Sequence, residues 1–497
     1  MSAATCSGMR ALEAAAIAAG WSEERLIDLA GERLGRAIGR FFPHAGTAAG
    51  YLGKGHNAGD TLVALRVLRD EFGWKIAVRP AFAIEACAPL TRKKWLECSP
   101  ALIDTPLSWR DLKGPLVLLD GLLGIGGRGC LRGPLFDLAA EMEWLRHHAG
   151  ARVAAVDVPS GVDADSGDST PGAVTADVTF MIGSAKRGLL TSRAVNAAGS
   201  LALVPVEILT VSDPGEIELI CPQEMDFGIC PRPYDFHKGM AGRVAVIAGS
   251  GRYPGAAVLA ATGALRGGAG LINLHVPLEA AAMIAAKCPP EIIIRRYASI
   301  HELGHIECDA MVVGCGIGEL EAPSAADFLE WLENQDKPAV IDADALNLIA
   351  KSGRQGIFQS QHVLSPHPGE FRRLAPDLAD LPREAAAKAF ADRYPATLLL
   401  KGGRTLVTRS GQPVWCNATG SPGMATGGQG DMLSGVIGAR LAAGLATHEA
   451  AAQGAWLCGR AAEIALENPG LSPESLTPSD CAMWLGAAFR DWQTACR

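Results

Sequence analysis

The sequence predicts two α/β domains in tandem, each built on a parallel sheet, and three observations carry that prediction. The chain has 497 residues, enough for two to four compact units at roughly 100–200 residues per domain. In both halves short apolar runs alternate with helical stretches, the pattern of parallel strands joined by crossover helices. Between about Ile208 and Tyr234 the alternation lapses into VSDPGEIELICPQEMDFGICPRPY, rich in proline and acidic residues. A boundary is placed there, giving domains over 1–215 and 225–497.

In the first half the strands are TAAGYLG, KIAVRP, PLVLLD, RVAAVDVP and ADVTFMIG. Each is too short for a buried helix and ends in Gly, Pro or Asp. After Ala58, GDTLVALRVLRDEF places Leu62, Leu65, Leu68 and Phe72 on one helical stripe, so this part reads as strand, glycine loop, helix. The second half repeats the alternation with RVAVIAGS, LINLHV, AMVVG, AVIDAD, HVLSP and TLLLKGG, then closes with Ala/Gly-rich helices after Gly430. Together these runs make two parallel sheets the simplest account.

Composition narrows the function. With 45 Lys+Arg against 53 Asp+Glu and a net charge of −8, and no dense basic block, nucleic acid is not an expected partner. The 13 cysteines are scattered without a C-x-x-C pair and read as reduced thiols of a cytoplasmic protein. The first residues lack a basic segment followed by a sustained apolar one, and no apolar run is long enough to span a bilayer, so neither export nor a membrane is expected.

The first chemical signal is GKGHNAGD, Gly53 to Asp60, placed between a strand and a helix where glycines permit close approach and a helix start favours an anion. Such turns also serve packing alone. Asn57 and Asp60 add oxygens able to ligate a hard cation or bind sugar hydroxyls. Two further strand ends carry acids: LVLLDGLLGIGGRG offers Asp120 and Gly124, Gly126, Gly127 and Gly129, and RVAAVDVPSGVDADSG offers Asp157, Ser160 and Asp163. In an open parallel sheet these ends converge on the ligand crevice, although Asp120 and Asp157 also fit the role of loop caps.

Taken jointly, Gly53-x-Gly55-x-Asn57-x-Gly59-Asp60, the Asp120–Gly129 stretch, Asp157-Val-Pro-Ser160-Gly161 and ADVTFMIGSAKRGL resemble the NAD(P)H-hydrate epimerase domain over roughly Met9 to Pro205. The resemblance implies a Rossmann-like three-layer domain that interconverts the R and S epimers of the hydrated nicotinamide ring. It implies a potassium ion on Asn57, Asp120 and Ser160, and the implied chemistry, which needs a proton moved beside the hydrated carbon, makes Asp157 the candidate base in the crevice. The implied substrate lining is His56, Asn57, Ala58, Gly59 and Asp60 with Gly124, Ile125, Gly126, Gly127, Arg128, Gly129 and Cys130, together with Asp157. Lys186 reads either as a phosphate partner or as a solvated surface lysine. Lys54, His56, Ala58, Thr61 and Ile125 depart from the residues usual in that family.

In the second half the sharpest signal is NATGSPGMATGGQGDMLSGVIGARLAAGL. Gly427, Gly428 and Gly430 precede a helix whose stripe is Leu433, Ile437 and Leu441, so backbone N–H groups and the helix dipole face an anion there. A nest of this kind stabilises a transferring phosphoryl group, and Asp431 beside it can take a proton from an attacking hydroxyl. Lys401-Gly402-Gly403-Arg404-Thr405 suits a nucleotide phosphate, and in LSPHPGEF a carboxylate, Glu370, can hold Mg2+ through water. Asp342 and Asp344 fit either helix capping or ligand contact, and His367 fits a loop histidine as well as a ligand.

The Gly-Gly-x-Gly-Asp arrangement resembles the anion hole and base of ribokinase-like enzymes. With Tyr253–Ala256, Gly314-Cys315-Gly316-Ile317-Gly318 and VIDADALNL it resembles the ADP-dependent NAD(P)H-hydrate dehydratase domain over about His237 to Leu445. Cys315 stands where that family usually has proline. The resemblance implies a ribokinase-like fold, substrate contacts from Ala256, Gly316, His367 and Asp431, and nucleotide contacts from Lys401 to Thr405 and Gly430. Asp431 then deprotonates the ring hydroxyl of the S hydrate, which attacks the terminal phosphoryl, and phosphate leaves as the dihydronicotinamide is regenerated.

The expectation is therefore a bifunctional repair enzyme, an isomerase joined to a lyase, with NAD(P)HX and ADP or ATP as ligands in a homo-oligomer. The competing expectation is a ribokinase-like kinase of a vitamin precursor or sugar, with a non-catalytic N-terminal binding module.

Overall fold

The computed structural model describes residues 1–102, 114–127, 129–211, 215–229 and 231–495; Arg128 lies outside them. The chain divides into two compact units, Met1–Leu219 and Ile220–Arg497. Among the described residues no helix is long and apolar enough to cross a membrane.

The N-terminal unit begins with α1 (Cys6–Ala18) and α2 (Glu23–Phe41). The Ser22 hydroxyl caps α2 by accepting the Arg25 N–H at 3.2 Å, and Glu23 and Glu24 in its first turn complement the dipole. There follow β1 (Thr47–Leu52), α3 (His56–Phe72), β2 (Lys75–Pro80), α4 (Pro89–Cys98), β3 (Ala101–Leu102), β4 (Leu116–Gly121), α5 (Pro134–Ala149), β5 (Arg152–Val156), β6 (Val178–Ile182) and β7 (Ser200–Val204). The strands form one sheet in the order β3-β2-β1-β4-β5-β6-β7, every pair parallel.

Alternation along β4 shows why this is a three-layer unit. Val117 and Leu119 pack with Leu34, Ile38, Leu62, Leu65 and Leu68 of α2 and α3. Leu116 and Leu118 face the other way, onto Leu138, Met142 and Leu145 of α5. Side chains of a strand point to opposite faces in turn, so a strand buried on both faces needs a helical layer on each.

In the C-terminal unit the order is β8 (Arg243–Ile247), α6 (Pro254–Arg266), β9 (Leu271–Pro277), β10 (Ile293–Tyr297), β11 (Ala310–Val313), α7 (Ser324–Glu333), β12 (Ala339–Ile341), α8 (Ala343–Ser352), β13 (His362–Leu364), α9 (Pro368–Leu374), α10 (Arg383–Arg393), β14 (Thr397–Leu400), β15 (Thr405–Thr408), β16 (Val414–Asn417), α11 (Gln429–Ala442), α12 (Thr447–Leu466) and α13 (Pro478–Ala495). Sheet order runs β16-β15-β14-β13-β12-β11-β8-β9-β10. From β14 to β10 the pairs are parallel, whereas β14-β15-β16 is antiparallel.

That antiparallel end corrects the expectation of a wholly parallel sheet. Only Lys401–Arg404 separate β14 from β15, and a parallel return needs a crossover of a dozen or more residues. The glycine pair is therefore a hairpin turn. Helix α11 packs against α6 with backbone almost in contact: a Cβ on Gly435 would lie 2.0 Å from the Ala260 carbonyl oxygen. Only glycine fits there, and this approach fixes the start of α11 relative to the sheet.

Candidate active sites

The N-terminal site lies at the carboxyl ends of β1, β4 and β5, around a cavity of about 650 Å³. Helix α3 starts at His56 with Gly55 as its N-cap, three residues earlier than expected. His56 and Asn57 are consequently first-turn residues, and with Asp60 they line the cavity. Ala58 and Gly59 do not. They lie on the packed face of α3, where Ala58 joins the apolar core and Gly59 faces Ile27 and Thr91. Gly124, Ile125, Gly126 and Gly127 line the cavity, and Gly129 and Cys130 follow on the same loop; of these assignments, the packing of α3 argues against Ala58 and Gly59.

Asn57, Asp120 and Ser160 are brought together beneath the loop after β4. Ser160 donates to the fully buried Asp120 carboxylate twice at 2.7 Å, from its N–H to Oδ2 and from its hydroxyl to Oδ1. Leu122 N–H donates to Oδ1 at 3.2 Å. Burial pushes the Asp120 carboxyl up to about 6, with the Ser160 and Leu122 bonds acting against that rise. The Ser160 Oγ also accepts from Leu123 N–H at 2.9 Å, and Asn57 Nδ2 donates to the Leu123 carbonyl at 2.9 Å. One carboxylate and several neutral oxygens thus surround residues 122–123.

Asp157 leaves the end of β5 in the left-handed region, at φ +69°, and its side chain turns into the cavity. It accepts from Ile182 N–H at 2.9 Å and from the Lys186 ammonium. Lys186 is 1% exposed and also donates to the Ile182 carbonyl at 2.6 Å. It is neither a surface lysine nor a free phosphate partner, because a buried ammonium needs a counter-charge and Asp157 supplies it. Glu13 of α1 was not foreseen. It shares the cavity, and its carboxyl is raised by burial and then by the Asp157 charge. The Asp60 carboxyl lies well above the usual range, first through burial and then through Asp157 and Glu13.

In the C-terminal unit Gly428, at φ +95°, caps α11 and puts Asp431 in its first turn. The first N–H groups of a helix lack intrahelical acceptors and carry the positive end of its dipole. Gly430 lies against the Lys401 ammonium, which would approach a Cβ there to 3.0 Å. Lys401 donates to Asp342 Oδ1 at 2.7 Å, and the Ser434 hydroxyl donates to Asp342 Oδ2 at 2.7 Å. Asp342 is 1% exposed and also caps α8 through Ala343 N–H at 2.8 Å. Of the two roles expected for Asp342 the structure shows the helix cap, and it adds the pairing with Lys401 and Ser434. Asp344 accepts from Gly318 N–H at 2.9 Å.

Burial pushes the Asp431 carboxyl up to about 7, the Asp342 charge adds to this, and the buried Cys315 thiol opposes it by donating a hydrogen bond. Burial alone would lower the Lys401 ammonium, but the Asp342 carboxylate overrides it and the net shift is upward. Gly316 lies against Ala256 of α6, so these two assigned residues meet.

Two expectations need correction. His367 is the N-cap of α9: its ring accepts Gly369 N–H at 3.0 Å while Glu370 Oε2 accepts His367 N–H at 2.8 Å. The other Glu370 oxygen lies 3.4 Å from His367 Nε2, so this carboxylate is occupied by a capping box and does not fit a magnesium ligand. Arg404 is also withdrawn from ligand reach, 4% exposed within the hairpin turn, whereas Gly402 and Gly403 are exposed. That turn is held by Arg383 of α10, unforeseen, which donates to the Leu400 and Lys401 carbonyls at 3.2 and 3.0 Å.

Family models match both units: a model described as YjeF-related protein N-terminus over residues 23–188, and one described as NAD(P)H-hydrate dehydratase over residues 244–481. A bifunctional NAD(P)H-hydrate repair enzyme of Gloeobacter violaceus is 35% identical, over 87% of each chain. The chain belongs to the bifunctional NAD(P)H-hydrate repair enzyme family. A further member, from Coxiella burnetii, is 34% identical over 93% of this chain and 94% of its own. A solved ribokinase-like superfamily protein of Enterococcus faecalis V583 covers 56% of this chain and 97% of its own with a TM-score of 0.50 and 24% identity, a likeness of fold. Because members of the repair family match along both units, a lone kinase with an unrelated binding module is set aside.

Proposed function

We propose that the N-terminal unit interconverts the R and S epimers of hydrated NADH or NADPH, and that the C-terminal unit dehydrates the S epimer at the expense of ADP or ATP. The observation that carries this reading is Asp431 in the first turn of α11, beside the Lys401–Asp342 pair. A carboxylate held near neutrality can take a proton at neutral pH, and the adjoining N–H groups and ammonium receive a transferring phosphoryl group.

Asp431 takes the proton of the ring hydroxyl, whose oxygen attacks the terminal phosphorus of the nucleotide as the P–O bond to the rest of it breaks, AMP leaving from ADP or ADP from ATP with that electron pair. Lys401 and the first-turn N–H groups of α11 balance the charge on the phosphoryl oxygens. Phosphate then departs with the C–O electron pair, and loss of the neighbouring ring proton leaves the double bond of the dihydronicotinamide. Glu370 takes no part, its carboxylate being held in the capping box, and among the described residues no group of three His, Cys, Asp or Glu is placed to hold a metal.

In the N-terminal unit Asp157 moves the proton beside the hydrated carbon, and the Lys186 ammonium, donating to its carboxylate, holds that side chain in place. Asn57, Asp120 and Ser160 would hold K+; their neutral oxygens and single carboxylate suit a monovalent cation better than Ca2+. Bound there, the ion supplies positive charge under residues 122–124. We place the enzyme in the cytoplasm with small-molecule ligands, a reading supported by the free thiols of its described cysteines and by a net charge of −8 that disfavours nucleic acid; a homo-oligomer is part of the same proposal.

The test is incubation with mixed hydrate epimers plus ADP or ATP, followed by nicotinamide near-UV absorbance. Complete recovery is expected. Recovery of the S fraction alone overturns the epimerase assignment, and a phosphorylated product without recovery overturns the dehydratase.

A further inference from the structure

A second cavity, of about 570 Å³, runs along α8 and α9 in the C-terminal unit. It opens at Gly318, two positions beyond Gly316, where Asp344 accepts the Gly318 N–H at 2.9 Å. Asp344, Asn347 and Lys351 line it along one face of α8. At 1.5 Å of rise per residue, Lys351 stands about 10 Å from the Gly318 end. Arg372 and Arg373 of α9 line the cavity as well. Asn347 Oδ1 accepts Arg373 Nε–H at 2.9 Å, and among the described residues no carboxylate lies within 4.0 Å of the nitrogens of these three side chains. The groove is thus acidic near the loop, where Glu319 adds to Asp344, and cationic along the rest of it.

A groove of that polarity fits a ligand with hydroxyls near the loop and an anion farther along. We propose that it holds the adenosine end of the hydrated dinucleotide, with Lys351, Arg372 and Arg373 receiving the 2′-phosphate that distinguishes the phosphorylated substrate. This rests on the reading that the ring reacts at Asp431. Charge favours this end of the ligand: Asp344 and Glu319 beside Gly318 would repel a diphosphate bridge and accept ribose hydroxyls, whereas the three cations line the rest of the groove. A monoester phosphate carries about −1.5 to −2 charges at neutral pH, more than each phosphate of the bridge, and guanidinium groups match its oxygens in pairs.

The experiment measures KM for NADPHX and for NADHX, separately and at saturating nucleotide, in wild type, Arg372→Ala and Lys351→Glu. Both positions are exposed, and thermal unfolding verifies that each variant is folded. The KM ratio of phosphorylated to unphosphorylated substrate is expected to rise about ten-fold in each variant, the scale of a lost charge-assisted hydrogen bond. An unchanged ratio overturns the inference, and so does an equal rise for both substrates, which would put the diphosphate bridge on these cations. A wild-type enzyme that regenerates neither dinucleotide would instead overturn the functional reading on which the inference rests.

Discussion

Lys401 and Asp342, 59 positions apart in the chain, meet at 2.7 Å between Nζ and Oδ1. Their contact ties the hairpin after β14 to the start of α8, and Ser434 extends the tie to α11. Removing the lysine leaves a buried carboxylate without its cation, so Lys401→Ala is expected to lose about 3 kcal/mol of stability as well as affinity for ADP. Lys401→Ala combined with Asp342→Asn should recover part of the stability but none of the affinity. Thermal unfolding with calorimetric titration separates the two effects, and unchanged ADP affinity in the single variant would make Lys401 structural.

Asp431→Asn should reduce nucleotide-dependent recovery by about 10²–10⁴ while epimerisation continues, since a positioned base is worth that much. A raised carboxyl pKa also fixes a pH dependence. Below about 7 the group is protonated and cannot accept the hydroxyl proton, so kcat/KM for dehydration should rise with pH and level off above that value. A profile flat from pH 5 to 8 would contradict the assignment.

Asp157→Asn is expected to stop epimerisation. In a trace with excess ADP, recovery should halt at the S fraction apart from spontaneous epimerisation. Asparagine suits the test because it tolerates the left-handed backbone at this position, whereas alanine adds roughly 1–2 kcal/mol of strain. Recovery as complete as wild type would remove Asp157 from the mechanism.

Replacing KCl with a salt of a large organic cation should slow epimerisation in wild type, and Ser160→Ala should abolish that response. The readout is the epimerisation rate against K+ concentration. Equal rates in both salts for wild type would argue against a cation on Asn57, Asp120 and Ser160.

Much of this architecture was legible because the signals are local. Short apolar runs bounded by Gly, Pro or Asp located β1, β2, β4 and β5, and the glycine nest located Asp431. What escaped the sequence depends on partners far along the chain. A lysine is ordinarily exposed, and only Asp157, 29 positions earlier, explains why Lys186 is buried. Asp342 looked like either a cap or a contact because Lys401 and Ser434 are distant. Glu370 misled for the opposite reason: a carboxylate three residues after a helix N-cap is also the mark of a capping box, which is the role the structure gives it with His367.

The φ of +69° at Asp157 bears on how this family diverges. A descendant that abandoned the reaction would still have to turn its chain left-handed after β5, and glycine, asparagine and aspartate do so with least strain. Aspartate can therefore persist there by backbone geometry after selection for proton transfer has lapsed. Lys186 carries the complementary record. Once the carboxylate is gone a buried ammonium has no counter-charge, so a descendant that lost Asp157 should soon lose Lys186 as well, whereas one that kept the aspartate for its backbone would keep the lysine with it, and the pair alone does not mark a working epimerase.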